Sequence, residues 1–220
     1  MALKGKGFFT WKIPRCEGGS PSAIAAAAKS ANLTHVVIKV ADGPGAYHGE
    51  FGNSRDMNSA VIQALRESQI GVWGWHYIYG ETPSSEARIA IQRIRQYNLD
   101  GYVIDAEAEY KQSGRKDAAR RFMSELRSAL PDVPVALSSY RYPSLHPQIP
   151  WSEFLSQCTL VMPQVYWMQA HNPGAQLTKT VREYQVRTSL PLIPTGAAFC
   201  ENNWQPSVNE VQEFLQTARA

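Results

Sequence analysis

Cysteine is scarce in this 220-residue sequence: there are three, Cys16, Cys158 and Cys200, an odd number with no short ligand spacing. That excludes a disulfide framework and a thiolate metal site, and it leaves reduced, mostly packed thiols as the plain reading. Long hydrophobic runs are missing too. The longest falls far short of the roughly 18 apolar residues that a membrane span needs. The stretch from Met1 to Phe9 has neither the apolar core nor the small-residue cleavage site of a signal peptide. These features predict a soluble, cytoplasmic protein with no membrane partner; a chain whose leader had been removed would read the same way. Charge of one sign is also absent, with 22 Lys and Arg against 19 Asp and Glu, a net charge of +3. Arg88, Arg93 and Arg95 read as a solvated helix face, and no basic stripe points to nucleic acid.

Several chemistries are missing with these features. The five histidines, His35, His48, His76, His146 and His171, are dispersed without paired-ligand spacing, so no metal is expected. No G-x-S-x-G elbow is present for a serine nucleophile. No glycine-rich phosphate loop follows the first strand, which argues against a doubly wound nucleotide fold and leaves no cofactor in view.

What is present is an ordinary globular composition, 44% apolar and 19% charged, with a repeating pattern. Short β-branched or aromatic runs lead through Gly- or Pro-bearing loops into segments of helical period. The strands are expected at Gly7–Trp11, His35–Val40, Gly71–Tyr77, Gly101–Asp105, Val135–Ser139, Leu160–Tyr166 and Leu192–Thr195. The helices are expected near Pro21–Ser30, Met57–Glu67, Ser85–Tyr97, Asp117–Ala129, Trp151–Leu155, Ala175–Val186 and Ser207–Ala218. Ser20-Pro21 supplies a capping hydroxyl followed by a proline at the first helical position, and Val61, Ile62 and Leu65 form a stripe that can lie on a sheet. Alternation of this kind means parallel strands joined by helical crossovers. It predicts an α/β fold, a (β/α)8 TIM-type barrel with about seven units visible in one domain, against roughly 250 residues for a full barrel. The eighth strand is unaccounted for. The chain is then incomplete at its C-terminus, or the first and seventh strands meet directly, or an open edge invites self-association.

In such barrels the reacting groups sit at the carboxyl ends of the strands. The fourth strand runs Gly101-Tyr-Val-Ile-Asp105-Ala-Glu107-Ala-Glu109. Alternation places Val103, Asp105 and Glu107 on one face and the apolar Tyr102, Ile104 and Ala106 on the other, so the carboxylates point inward. Two carboxylates roughly 7 Å apart along a strand repel each other, and one is favoured to keep its proton. A protonated acid beside an ionised partner suits cleavage of a glycosidic bond. The alternative is an ion-pair network with Lys39, which also points inward from the second strand. Glu109 falls either in the site or in the loop beyond it. On the sixth strand Met162, Gln164 and Tyr166 face inward, and a Gln amide and a Tyr hydroxyl at the mouth can hold a sugar. His76, Tyr140 and Trp167 lie near strand ends, among aromatics that either stack on sugars or fill core. His76 reads as a proton donor or as a hydrogen-bonded barrel histidine.

At these residues a resemblance emerges. Over essentially its whole length the chain resembles an uncharacterised group of bacterial TIM-barrel proteins in the glycoside hydrolase superfamily. The likeness is carried by Ile38-Lys-Val-Ala-Asp-Gly43, Gly74-Trp-His-Tyr77, Tyr102-Val-Ile-Asp-Ala-Glu-Ala-Glu109, Ser138-Ser-Tyr-Arg-Tyr-Pro143, Met162-Pro-Gln-Val-Tyr-Trp167 and Pro194-Thr-Gly-Ala-Ala198. Members of that group continue into a Trp-rich eighth strand that this chain lacks. More remotely, it is similar to family 25 muramidases and family 18 chitinases, which carry D-x-E on strand four. The resemblance implies Glu107 as general acid, Asp105 as its partner, and Tyr166 as a holder of an acetamido group that can itself act as nucleophile. It implies a saccharide ligand. Two departures weigh on the other side, toward a non-catalytic saccharide-binding barrel. The muramidase Asp of strand one has no counterpart in Gly7-Phe-Phe-Thr10-Trp11, and the further aspartates of the chitinase strand-four pattern are missing.

Overall fold

The computed structural model describes residues 3–52 and 55–220. In chain order the main elements are β1 (Gly7–Thr10), α1 (Pro21–Ser30), β2 (His35–Asp42), β3 (Gly45–Ala46), α2 (Asn58–Glu67), β4 (Gly71–Ile78), α3 (Pro83–Tyr97) and β5 (Gly101–Ala106). They continue with α4 (Arg115–Ala129), β6 (Val135–Tyr140), α5 (Trp151–Leu155), β7 (Leu160–Val165), α6 (Pro173–Gln185), β8 (Thr195–Gly196) and α7 (Val208–Thr217). The strands pair in the order β1-β2-β4-β5-β6-β7-β8, parallel throughout, while β3 folds back antiparallel on the end of β2. This is a TIM-type barrel of seven parallel strands; among the described residues no ladder joins β8 to β1. Its fourth strand is β5.

Two apolar layers hold the curl. Val36, Ile38, Tyr102, Ile104, Val135, Leu137 and Val161 face outward and pack with Val61, Leu65, Ile94, Phe122 and Leu126 of the helices. Val37, Trp73, Val103, Ala136, Leu160 and Met162 fill the interior. The parity expected for the fourth strand is therefore the observed one. Trp73 is large for the interior of so small a barrel, and it fits because its neighbour in register is Gly101: a Cβ there would sit 2.5 Å from the indole.

Two expectations need correction. Arg93 is not solvated: it is 4% exposed and reaches Gln96 Oε1 at 2.6 Å, Tyr97 Oη at 3.3 Å and His48 Nε2 at 3.4 Å. The seventh strand is shorter than Leu192–Thr195. Leu192 makes only an isolated bridge to Val161, and β8 begins at Thr195, because Pro191 and Pro194 have no N–H to donate to a ladder. The short β3 and several one-turn helices carry no periodicity and were not expected from sequence.

The β2–β3 turn and the loop after it are tied to the barrel by Asn58, fully buried at the start of α2. Its Nδ2 donates to the carbonyls of Tyr47 (2.8 Å) and Lys39 (3.2 Å). Asn58→Ala strands both carbonyls, and we expect a loss of about 1–3 kcal/mol of stability in urea unfolding. A variant as stable as the parent would show that the tie contributes nothing.

Candidate active site

The inward row of β5 rises from Val103, packed in the interior, to Asp105 and then to Glu107 just past the strand end. Across the mouth, β7 presents Gln164. Its Nε2 donates to Asp105 Oδ1 at 2.8 Å and to Glu107 Oε1 at 2.8 Å, with Ser138 Oγ of β6 at 3.2 Å. Two carboxylate oxygens thus share one amide nitrogen and lie nearer to each other than the roughly 7 Å of strand rise implies. Loss of water contact first, and the charge of Glu107 second, hold the Asp105 carboxyl well above its ordinary pKa; Lys39 and the hydrogen bonds from Ser138 and Gln164 act in the opposite direction. The balance favours the protonated form of Asp105 in the pair. Tyr166, the next inward residue after Gln164, has its phenol pKa raised by burial and then by Asp105 and Glu107, so its hydroxyl stays a neutral donor beside them. Its ring stands edge-on to Phe199 at 5.4 Å, and its carbonyl accepts a hydrogen bond from Arg141.

A second set of groups adjoins the pair. Tyr77 of β4 sits in register with Asp105 and donates its hydroxyl proton to Glu109 Oε2 at 2.7 Å. Glu109 lies in the one-turn helix Ala108–Lys111, and Tyr77 holds it at the mouth. Lys39 pairs at 2.5 Å with Asp42, whose other oxygen accepts from Tyr79 Oη at 2.8 Å. Lys39 is 3% exposed, and its ammonium lies 4.6 Å from the Trp75 ring centroid, 5.0 Å from Tyr47, 5.3 Å from Trp11 and 5.5 Å from Phe51. A buried cation boxed by π faces and one carboxylate is well compensated. Its direct partner is Asp42, not the β5 pair.

Of the residues singled out from sequence, the structure gathers Asp105, Glu107, Glu109, Lys39, Gln164 and Tyr166 at the mouth. Tyr140 stands at the rim, stacked on His146 at 3.7 Å with the Lys111 ammonium 4.3 Å over its face. His76 and Trp167 are corrected, because each lies on the opposite parity from the inward row. His76 is fully buried against Tyr102 and Phe122, and its Nε2 donates to the Gly43 carbonyl at 2.7 Å. Burial pushes its pKa down to about 4, so it stays neutral and packs the outer layer. Trp167 is 1% exposed, with its ring 5.3 Å from Phe214 of α7.

Sequence reasoning missed Asp42, Tyr77 and Ser138 as site residues. Tyr77 and Ser138 were within reach, since each is inward by parity from Trp75 and Ala136. Asp42 was not, because strict alternation from Lys39 sends it outward. The register slips between Lys39 and Ala41, so that Lys39 opposes Trp75 while Asp42 opposes Tyr77. That bulge restores Asp42 to the mouth. Among the described residues no group of three or more His, Cys, Asp or Glu is placed to hold a metal.

No protein-family model matches the sequence, and no curated protein matches it. Solved structures do share its fold. A chitinase from Chromobacterium violaceum superposes over 86% of this chain and 68% of its own, with 12% identity and a TM-score of 0.64. A GH2 beta-galacturonidase from Eisenbergiella tayi, bound to galacturonate, superposes over 96% of this chain at 13% identity and a TM-score of 0.66. This chain spans 40% of that enzyme's length. A glycosyl hydrolase 25 of Streptococcus pneumoniae, described as a virulence factor in host cell invasion, covers 74% of this chain and 70% of its own at 16% identity and a TM-score of 0.54. The protein is thus a TIM-type barrel whose fold is shared with glycoside hydrolases of solved structure, and at such identities the likeness is one of fold alone.

The raised Asp105 pKa has a consequence for stability. The folded chain holds this proton more tightly than the unfolded chain does. The stabilisation is therefore complete below the unfolded value of about 3.8 and is lost as pH rises through the higher folded value. Asp105→Asn removes the titration while keeping the shape. Its melting temperature should gain on the parent's between pH 4 and pH 8; a difference constant across that range would contradict the assignment.

Proposed function

We propose that this barrel is a glycoside hydrolase that cleaves a glycosidic bond by acid catalysis from the Asp105–Glu107 pair, beside an N-acetylated sugar. The observation that carries the reading is the single Gln164 nitrogen 2.8 Å from a carboxylate oxygen of each, at the barrel end where reacting groups gather. The fold shared with chitinase and family 25 structures agrees with it.

In this mechanism Glu107 passes the pair's proton to the glycosidic oxygen as the bond from that oxygen to the anomeric carbon breaks. The bonding electrons leave with the oxygen, and the alcohol departs neutral. Positive charge grows on the sugar ring, and Asp105 becomes easier to ionise as it does so. An acetamido oxygen on the same sugar can close onto the anomeric carbon, with Tyr166 donating a hydrogen bond to hold it. Water then opens that ring, and its proton returns to Glu107. No second protein nucleophile is required.

A binding barrel without turnover is the second reading. It is favoured by β1, where Gly7-Phe-Phe-Thr10-Trp11 offers no counterpart of the muramidase aspartate. Thr10 is buried, and its carbonyl accepts the Trp75 indole N–H at 2.9 Å.

The experiment is reducing-end release from peptidoglycan, chitin and neutral glucans by the wild-type chain and by Glu107→Gln. We expect release from one of the N-acetylated substrates and a loss of about 10²- to 10⁴-fold in the variant, the usual contribution of a positioned acid. Equal release by both proteins would remove Glu107 from the mechanism, and no release by either would favour the binding barrel.

A further inference from the structure

We propose that the cleft beside the β2–β3 turn is a second saccharide subsite, which extends the carboxylate mouth into a groove and makes the ligand an oligosaccharide of neutral sugars. This rests on the reading of the mouth as a sugar site. The cleft has a volume of about 460 Å³ and is lined by Asp42, Ala46, Tyr47, Glu50 and Phe51 among others. That is within the range of small-molecule sites, roughly 300–1,000 Å³. It is continuous with the mouth through Asp42, which lines the cleft and also binds Lys39 and Tyr79.

Three observations fit a sugar ring there. First, Phe51 is 61% exposed and Trp11 is 49% exposed, and both rings pack against the buried Lys39 ammonium. Core packing does not account for aromatics so open, whereas the weakly positive C–H face of a pyranose is drawn to the negative face of such a ring. Second, the Tyr47 hydroxyl is buried and its proton has no acceptor among the described residues. Trp11, whose indole N–H interacts with that hydroxyl, can only donate. A sugar oxygen would supply the missing acceptor. Third, Glu50 offers carboxylate oxygens to sugar hydroxyls and its charge opposes an anionic sugar, while the charge of Asp42 is met by Lys39. The ring that fits is therefore neutral.

The test uses the full chain carrying Glu107→Gln, so that ligand is not consumed, and calorimetric titration with chitobiose, chitotetraose, cellobiose and cellotetraose. At least one tetrasaccharide should bind more tightly than its disaccharide. Phe51→Ala, at an exposed position, should weaken that tetrasaccharide about tenfold while leaving the disaccharide within about twofold. Tyr47→Phe keeps the ring and should weaken the tetrasaccharide by a smaller factor. Chain-length-dependent binding that depends on Phe51 upholds the subsite even if the wild-type chain releases no reducing ends, since only the hydrolase reading then fails. Equal affinity for both lengths, tetrasaccharide binding indifferent to Phe51→Ala, or no binding of any of the four sugars overturns it.

Discussion

One amide nitrogen organises the mouth of this barrel. Gln164 bonds to a carboxylate oxygen of Asp105 and of Glu107 at the same time, from a strand two places removed in the sheet. Burial and the charge of Glu107 push Asp105 toward its protonated form, and the Gln164 donor works against them by favouring the ionised oxygens. That donor holds the two acids close and ties the strands that carry them across the mouth. Ser138, Tyr166 and Tyr77 then close around a defined pair. The arrangement costs stability at neutral pH, as functional sites commonly do.

The second constraint is parity. Along each barrel strand alternate residues enter the interior, so a carboxylate two positions beyond packed Val103 must arrive at the mouth. That rule made most of the fold and the centre of the site legible in the sequence. The outward Tyr102, Ile104 and Ala106 against the inward Val103, Asp105 and Glu107 needed only alternation. The same rule, applied consistently, would have set aside His76 and Trp167, whose chemistry invited attention that their parity does not support. Asp42 lay beyond the rule altogether. A bulge has no signature in a pattern of period two, and the cage around Lys39 draws its rings from three separate stretches of chain. The shortened β8 was readable from Pro191 and Pro194, but only by asking where each backbone donor goes.

Two halves of the mouth differ in character. Toward β5, β6 and β7 it is a hydrogen-bonded acid pair with neutral donors around it. Toward β1 and β2 it is aromatic, built on a buried ammonium whose charge is met by Asp42. Chemistry on one side and an aromatic rim on the other is a reasonable division for a ligand made of repeating rings. The fold is shared with a chitinase and with a galacturonidase, so the fold by itself names no sugar. The residues of this chain must therefore set its own preference.

The claim at the centre is that the Asp105–Glu107 pair holds one proton under neutral conditions. Carbon NMR of the side-chain carboxyls, followed across pH with Asp105→Asn and Glu107→Gln for assignment, measures it directly. One carboxyl of the pair should remain protonated well above the ordinary carboxylate range of about 4. Two carboxyls that both ionise near that value would contradict the claim, and the acid catalysis built on it would go as well.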